Sequence, residues 1–238
     1  MEWRPQWSLG SGRLDMADLL VVVENGKQKA FASALEWPGW SRAGKKTGDN
    51  AIAALLDYRD RFAAVLDTSG LVTLPDGTLQ INVVEEQAGD GQTDFGVPGQ
   101  VAASEHTPIT GKELERQIAV LEAGWTFFDQ VSASVSAELR KGPRGGGRDR
   151  DPIIDHVLQA ERGYVRYLGL KRIELPINDA GAIAAHRKEV VASLRELGPE
   201  TGLEGGKWPV RYVIRRMAWH VLDHAWEMQD KDLSGENA

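Results

Sequence analysis

The chain reads as an α+β N-terminal module, a small antiparallel sheet plus one helix, followed by an all-α four-helix bundle. Three observations predict this. β-branched and alternating apolar runs fall before Glu85; the next stretch, to about Ile109, is rich in Gly, Gln, Thr and Pro; beyond it the apolar residues recur at helical spacing. The expected boundaries are a loosely ordered N-terminus over residues 1–17, a β-β-β-α-β module over 18–86, a linker or covering loop over 87–108, the bundle over 109–231, and a tail over 232–238.

Trp3, Pro5, Trp7, Gly10 and Gly12 follow no period, which is why the first residues are expected to be loose, and Met16 offers an alternative start. Leu19 to Val23 is an unbroken apolar run of the kind a buried strand carries. Asn25-Gly26 then supplies the turn of a β-hairpin, and residues 29–35 return as the second strand. Trp37-Pro38-Gly39-Trp40 makes a turn, and residues 41–43 pair briefly as a third strand. Residues 49–66 carry Ile52, Leu55, Leu56, Phe62, Ala63 and Leu66 at helical spacing. Leu79, Ile81 and Val83 alternate along a fourth strand over 79–84.

Four helices are predicted in the second half, over residues 111–140, 151–168, 179–197 and 209–231. The first carries Leu114, Ile118, Leu121, Trp125, Phe128, Val131, Val135 and Leu139 on one stripe, and the third Ile183, Val190, Val191, Leu194 and Leu197. Pro209 opens the fourth, at the position where a missing N–H costs least.

A hydrophobic content of 42% and a charged content of 26% in 238 residues belong to an ordinary globular chain with a sizeable core. The net charge of −7 argues against a nucleic-acid-binding face. No apolar run approaches the ~20 residues of a membrane span and no basic-then-apolar leader opens the chain, so a cytoplasmic protein is expected. Cysteine is absent, which excludes disulfides, iron–sulfur clusters and thiolate zinc sites. Any metal must use His, carboxylates or water.

His220 and His224 stand four residues apart in the last predicted helix, so both imidazoles share one face, together with Val213, Met217, Val221 and Met228. His156 lies on the inward stripe of the second helix with Ile153, Val157, Ala160, Tyr164 and Tyr167. One inward histidine is more often a hydrogen-bonded core residue than a ligand. An i, i+4 pair plus a third histidine on a facing helix is the kind of set from which bundles build metal sites. Val221 stands where the zincin motif has its catalytic Glu, so peptidase chemistry is not suggested.

His156 on the second helix and Trp219-His220-Val221-Leu222-Asp223-His224 on the fourth resemble the DinB-like (YfiT-like) metal-dependent proteins, over about residues 109–231. The resemblance implies a four-helix bundle whose three histidines bind a divalent metal, usually zinc or nickel. It implies an S-transferase or isomerase that uses a small thiol such as mycothiol, with arginine outnumbering lysine as a compositional hint towards mycothiol. Other members are described as hydrolases. Three neutral imidazoles leave a metal net positive with an open position, able to lower the pKa of a bound thiol or water. With no cysteine in the chain, a thiol nucleophile must arrive as a cosubstrate.

Residues 18–86 resemble the HicB-like fold through Phe31-Ala32-Ser33-Ala34-Leu35-Glu36-Trp37-Pro38-Gly39-Trp40 and the Ala-rich helix after Asp49. That resemblance implies a partner-binding or substrate-covering module and carries no catalytic set. Expected partners are therefore a small electrophile and a thiol, with a protein partner through the N-terminal module and a homodimer as further options, and no nucleic acid or membrane. A non-enzymatic partner-binding protein is the competing class.

Glu227, three positions beyond His224, is placed to orient a ligand or exchange protons, or else to form a surface salt bridge. Tyr164, two turns after His156, is placed either to donate to an oxyanion or simply to pack in an aromatic core. Asp155 and Asp223 are each rotated ~100° from a histidine and read as structural. Gly39 to Lys46 approaches a Walker A loop but has Lys46 where Ser or Thr should ligate magnesium, and it follows a hairpin, so it reads as a solvated turn. The basic glycine-rich stretch 140–150 reads as a flexible interhelical loop or an anion-binding lid. His186, beside Arg187 and Lys188, is expected to face solvent, and His106 falls in the linker.

Overall fold

The computed structural model describes residues 17–70, 72–143, 145–200 and 208–235. The expectations for residues 1–16 and 236–238 lie outside the described residues. The architecture is mixed: a four-stranded sheet in the N-terminal part and several long helices in the C-terminal half.

The strands are β1 (Ala17–Asn25), β2 (Lys29–Ala34), β3 (Ser41–Lys45) and β4 (Leu79–Ala88), in the order β3-β2-β1-β4. β2 pairs antiparallel with both β1 and β3. The expected all-antiparallel sheet is corrected at β4, which runs parallel to β1 with an irregularity between Val21 and Val22. A helical crossover separates β3 from β4, and such a connection returns the chain in the same direction. The expected single helix is also corrected: α1 (Gly48–Asp57) and α2 (Arg59–Asp67) are separated by Tyr58 at φ −93°, ψ 4°. Tyr58 is held by tertiary contacts, with the Arg42 guanidinium 3.8 Å above its ring and Trp226 5.0 Å from it.

Residues 89–108 form a short helix α3 (Gly91–Phe95) and a 3₁₀ turn (Ala103–His106). Asp94 accepts hydrogen bonds from the N–H groups of Gln28 (2.7 Å) and Lys29 (3.2 Å), so this segment also caps the β1–β2 hairpin.

The long helices are α4 (Gly111–Ser134), α5 (Arg150–Tyr164), α6 (Ala180–Leu197) and α7 (Val210–Asp230). α4 stops before the predicted end at 140. Beyond it the Ser136 N–H donates to Asp232 Oδ1 at 2.9 Å, a long-range side-chain acceptor that replaces a helical one. Val135 and Leu139 stay buried from outside the helix. α5 gives way at Val165 to a 3₁₀ turn (Val165–Leu168).

From Tyr212 to Leu222 α7 is buried around its whole circumference, which is expected of a helix covered on every side. On one side Met217, Val221, Ala225 and Met228 join the core of α4, α5 and α6. On the other, Leu222 and Trp226 join Val21, Ala32, Trp40, Leu55 and Phe62. The sheet shows its alternation here: Val21, Val23, Ala32 and Ala34 share a core with α1 and α2, while Phe31 on the opposite face meets Trp219 at 6.0 Å. Gly39 marks the tightest approach, where at φ +92° a Cβ would stand 2.8 Å from Leu222 Cδ1. The segment that approaches a Walker A loop is therefore packed on α7 at Gly39. No helix among the described residues is long and apolar enough to cross a membrane.

Candidate metal centre

α5 and α7 lie side by side, and the histidines on their facing stripes converge. Ring centroids are 5.1 Å apart for His156 and His220, 4.9 Å for His156 and His224, and 4.7 Å for His220 and His224. One ring nitrogen from each lies within 4.8 Å of the others, a separation from which one ion can be reached.

The electrostatics keep donors available. Burial first, and then repulsion by charge on His224, Arg216, His156 or Arg148, holds His220 well below the ordinary histidine pKa. Burial, followed by His224 and Arg148, lowers His156. Both imidazoles are therefore neutral at pH 7, with a lone pair to offer. His220 Nδ1 is buried without a hydrogen-bond partner, an arrangement that costs free energy unless something else uses it.

His224 is oriented from outside the trio. Its Nδ1 lies 2.7 Å from Glu227 Oε2, and Glu227 also accepts from Lys231. The hydrogen bond from His224 first, and then that from Lys231, holds the Glu227 carboxyl at about 2, so it is an acceptor only. His224 Nδ1 must carry the proton, which leaves Nε2 free to act as a ligand. Glu227 thus sits behind a histidine, with its carboxylate already engaged.

Tyr164 packs edge-on against the His220 ring at 6.0 Å, and burial raises its hydroxyl pKa, so it is protonated at neutral pH. Asp223 pairs with Arg42 at 2.9 Å and Asp155 accepts from Gln159, so both carboxylates are engaged outside the trio. An open cleft of about 840 Å³ reaches His156 between Arg148, Asp155, Gln159 and Asn178. The 140–150 connection is pinned at its start, where the Arg140 N–H donates to the Lys231 carbonyl at 2.8 Å. His106 is exposed in the 3₁₀ turn.

The expectation for His186 is corrected: it is 2% exposed on α6, and its Nε2 has no partner. Its cationic neighbour Arg187 also turns inward, donating to Asp129 at 2.7 Å and to Glu161. Sequence reading also passed over Arg216, although it lies four residues before His220 and so shares the face of the trio.

Comparison of the chain with models of protein families, with curated proteins and with solved structures finds no match.

Proposed function

We propose that α4–α7 form a DinB-like four-helix bundle in which His156, His220 and His224 hold a divalent metal, zinc or nickel. On this reading the protein is a transferase or isomerase that joins a small thiol, of the mycothiol type, to a small electrophile. The observation that carries the reading is the convergence of three imidazoles from two helices, one of them oriented by a carboxylate behind it.

A metal bound there would supply Lewis acidity, lowering the pKa of a thiol or water that reaches it. The chain's own residues supply the setting. His156 and His220 are kept unprotonated by burial and by neighbouring positive charge. Glu227 fixes the tautomer of His224. Tyr164, its proton retained, stands beside His220 as a hydrogen-bond donor for an oxygen on the substrate. The cleft beside His156 gives a small molecule its approach.

The N-terminal module is the partner-binding or covering part in this reading. Its edge strand β4 leaves Val83 and Val84 exposed, as a strand that receives another chain would.

The test is conjugation of a fluorogenic bimane electrophile by zinc- or nickel-loaded protein with mycothiol, bacillithiol or glutathione in turn. Thiol-dependent turnover that disappears in His220→Ala is expected. Turnover of an activated ester without any thiol would favour hydrolysis instead. Inactivity in both assays by metal-loaded protein would favour the partner-binding class.

A further inference from the structure

Among the described residues three arginines are buried, and two of them are neutralised by the protein. Arg215, 2% exposed, donates through Nε and Nη2 to the two oxygens of Glu105 at 2.7 and 2.8 Å, and also to Gln100 and Ser33. Arg187 is held between Asp129 and Glu161. Arg216 is 8% exposed and has neither a hydrogen bond nor an ion pair among the described residues, with Nη1 buried and unpartnered.

Among the described residues its recorded contacts are with aromatic faces, the Trp219 ring 4.6 Å and the Tyr164 ring 5.5 Å from its guanidinium carbon. Attraction to two rings is weaker than the cost of removing a guanidinium from water. A second donor, Trp219 Nε1, is also buried without an acceptor. Both stand beside the trio: Arg216, His220 and His224 follow one another at four-residue intervals along one face of α7, and the Tyr164 ring bridges Arg216 to His220.

We infer that Arg216 is an anion-binding residue, and that the small molecule accepted beside His220 carries a carboxylate. The inference rests on the proposed metal centre only for where the rest of that molecule lies. A phosphate dianion is normally met by several cations or by the free N–H groups of a helix N-terminus. Arg216 stands in the body of α7, beyond its first turn, so no free N–H groups of a helix N-terminus add to its charge. A carboxylate matches one guanidinium in charge and in planar fork geometry, and the rings of Tyr164 and Trp219 suit a flat apolar body. One helical turn separates Arg216 from His220, so the carboxylate and the group presented to the histidines should lie on the order of 6 Å apart.

The test is calorimetric titration of the full chain, freed of metal by chelation, with benzoate, and with inorganic phosphate for comparison. Wild type is expected to bind benzoate one to one and in preference to phosphate. Arg216→Met should bind it at least about tenfold more weakly, the scale of a lost charge-assisted hydrogen bond. Arg216→Met should also melt at a higher temperature than wild type without ligand, because a buried unpaired charge is gone; an arginine with a purely structural role would give the opposite. Arg216→Lys, which keeps the charge and loses the fork, should bind about tenfold more weakly than wild type and decides the matter if Arg216→Met does not fold. Benzoate binding that His156→Ala retains while losing metal separates this site from the metal centre. Wild type that takes up metal but not benzoate, or that prefers phosphate, or arginine variants that bind benzoate as wild type does, would overturn the inference.

Discussion

His224 and Glu227, one turn apart on α7, are joined by a 2.7 Å hydrogen bond through Nδ1, which leaves Nε2 unengaged by Glu227 in a ring grouped with His156 and His220. Lys231, a further turn along, holds the other oxygen of the same carboxylate. Glu227→Gln removes the charge while nearly keeping the shape. Loss of such an outer partner is expected to weaken metal affinity by about 10- to 100-fold without unfolding the chain. Competition with a chromophoric chelator measures this, and an unchanged affinity would show that Glu227 is only a salt-bridge residue.

His156 and His220 predict how stability depends on pH. Their folded pKa values lie below the ordinary 6.5, so the unfolded chain binds protons that the folded one does not. The stability tied to their neutral forms is present above pH 6.5 and is lost as pH falls below it. Urea unfolding of metal-free protein at pH 7.5 and 5.5 should show a larger fall for wild type than for His220→Ala.

Glu24 has the opposite sign. Burial, only partly offset by Arg215, pushes its carboxyl up to about 7 from an unfolded value of 4.5. Its contribution is complete below pH 4.5 and is lost as pH rises through about 7. Its Oε2 accepts from the Gly99 N–H at 3.0 Å, tying the segment before α4 to β1. Glu24→Gln should remove a pH-dependent loss of roughly 2–3 kcal/mol between pH 5 and 8, seen as a difference in urea midpoints.

Gly39→Ala tests the seat of α7 on the N-terminal module. The position combines φ +92° with a Cβ that would meet Leu222 at 2.8 Å and Ala218 at 3.2 Å. Backbone strain and overpacking together should cost about 2–4 kcal/mol, read as a lower melting temperature. A neutral result would mean that the turn and α7 adjust independently.

Periodicity made the histidine trio legible, because i, i+4 spacing on one helix and an inward stripe on another are local properties of the sequence. The direction of β4 was not, since Leu79 to Val84 alternates equally well in a parallel or an antiparallel ladder. The break at Tyr58 is also invisible in the apolar pattern, because it depends on Arg42 and Trp226, which are remote in sequence. His186 was misplaced by its cationic neighbours. Arg187 turns inward to Asp129 and Glu161, 58 and 26 residues earlier, and no spacing rule spans those distances. Arg216 was within reach of the same four-residue spacing that singled out His220 and His224, but a charge on a helix is ordinarily read as solvent-facing.

On the proposed reading His156, His220 and His224 act together on one metal ion. Elemental mass spectrometry of untagged protein tests it most directly, with wild type compared against His156→Ala and His224→Ala. About one zinc or nickel per chain in wild type, lost in both variants, is the result the account predicts. Wild type that is metal-free and cannot be reconstituted, or variants that keep the full complement, would contradict it.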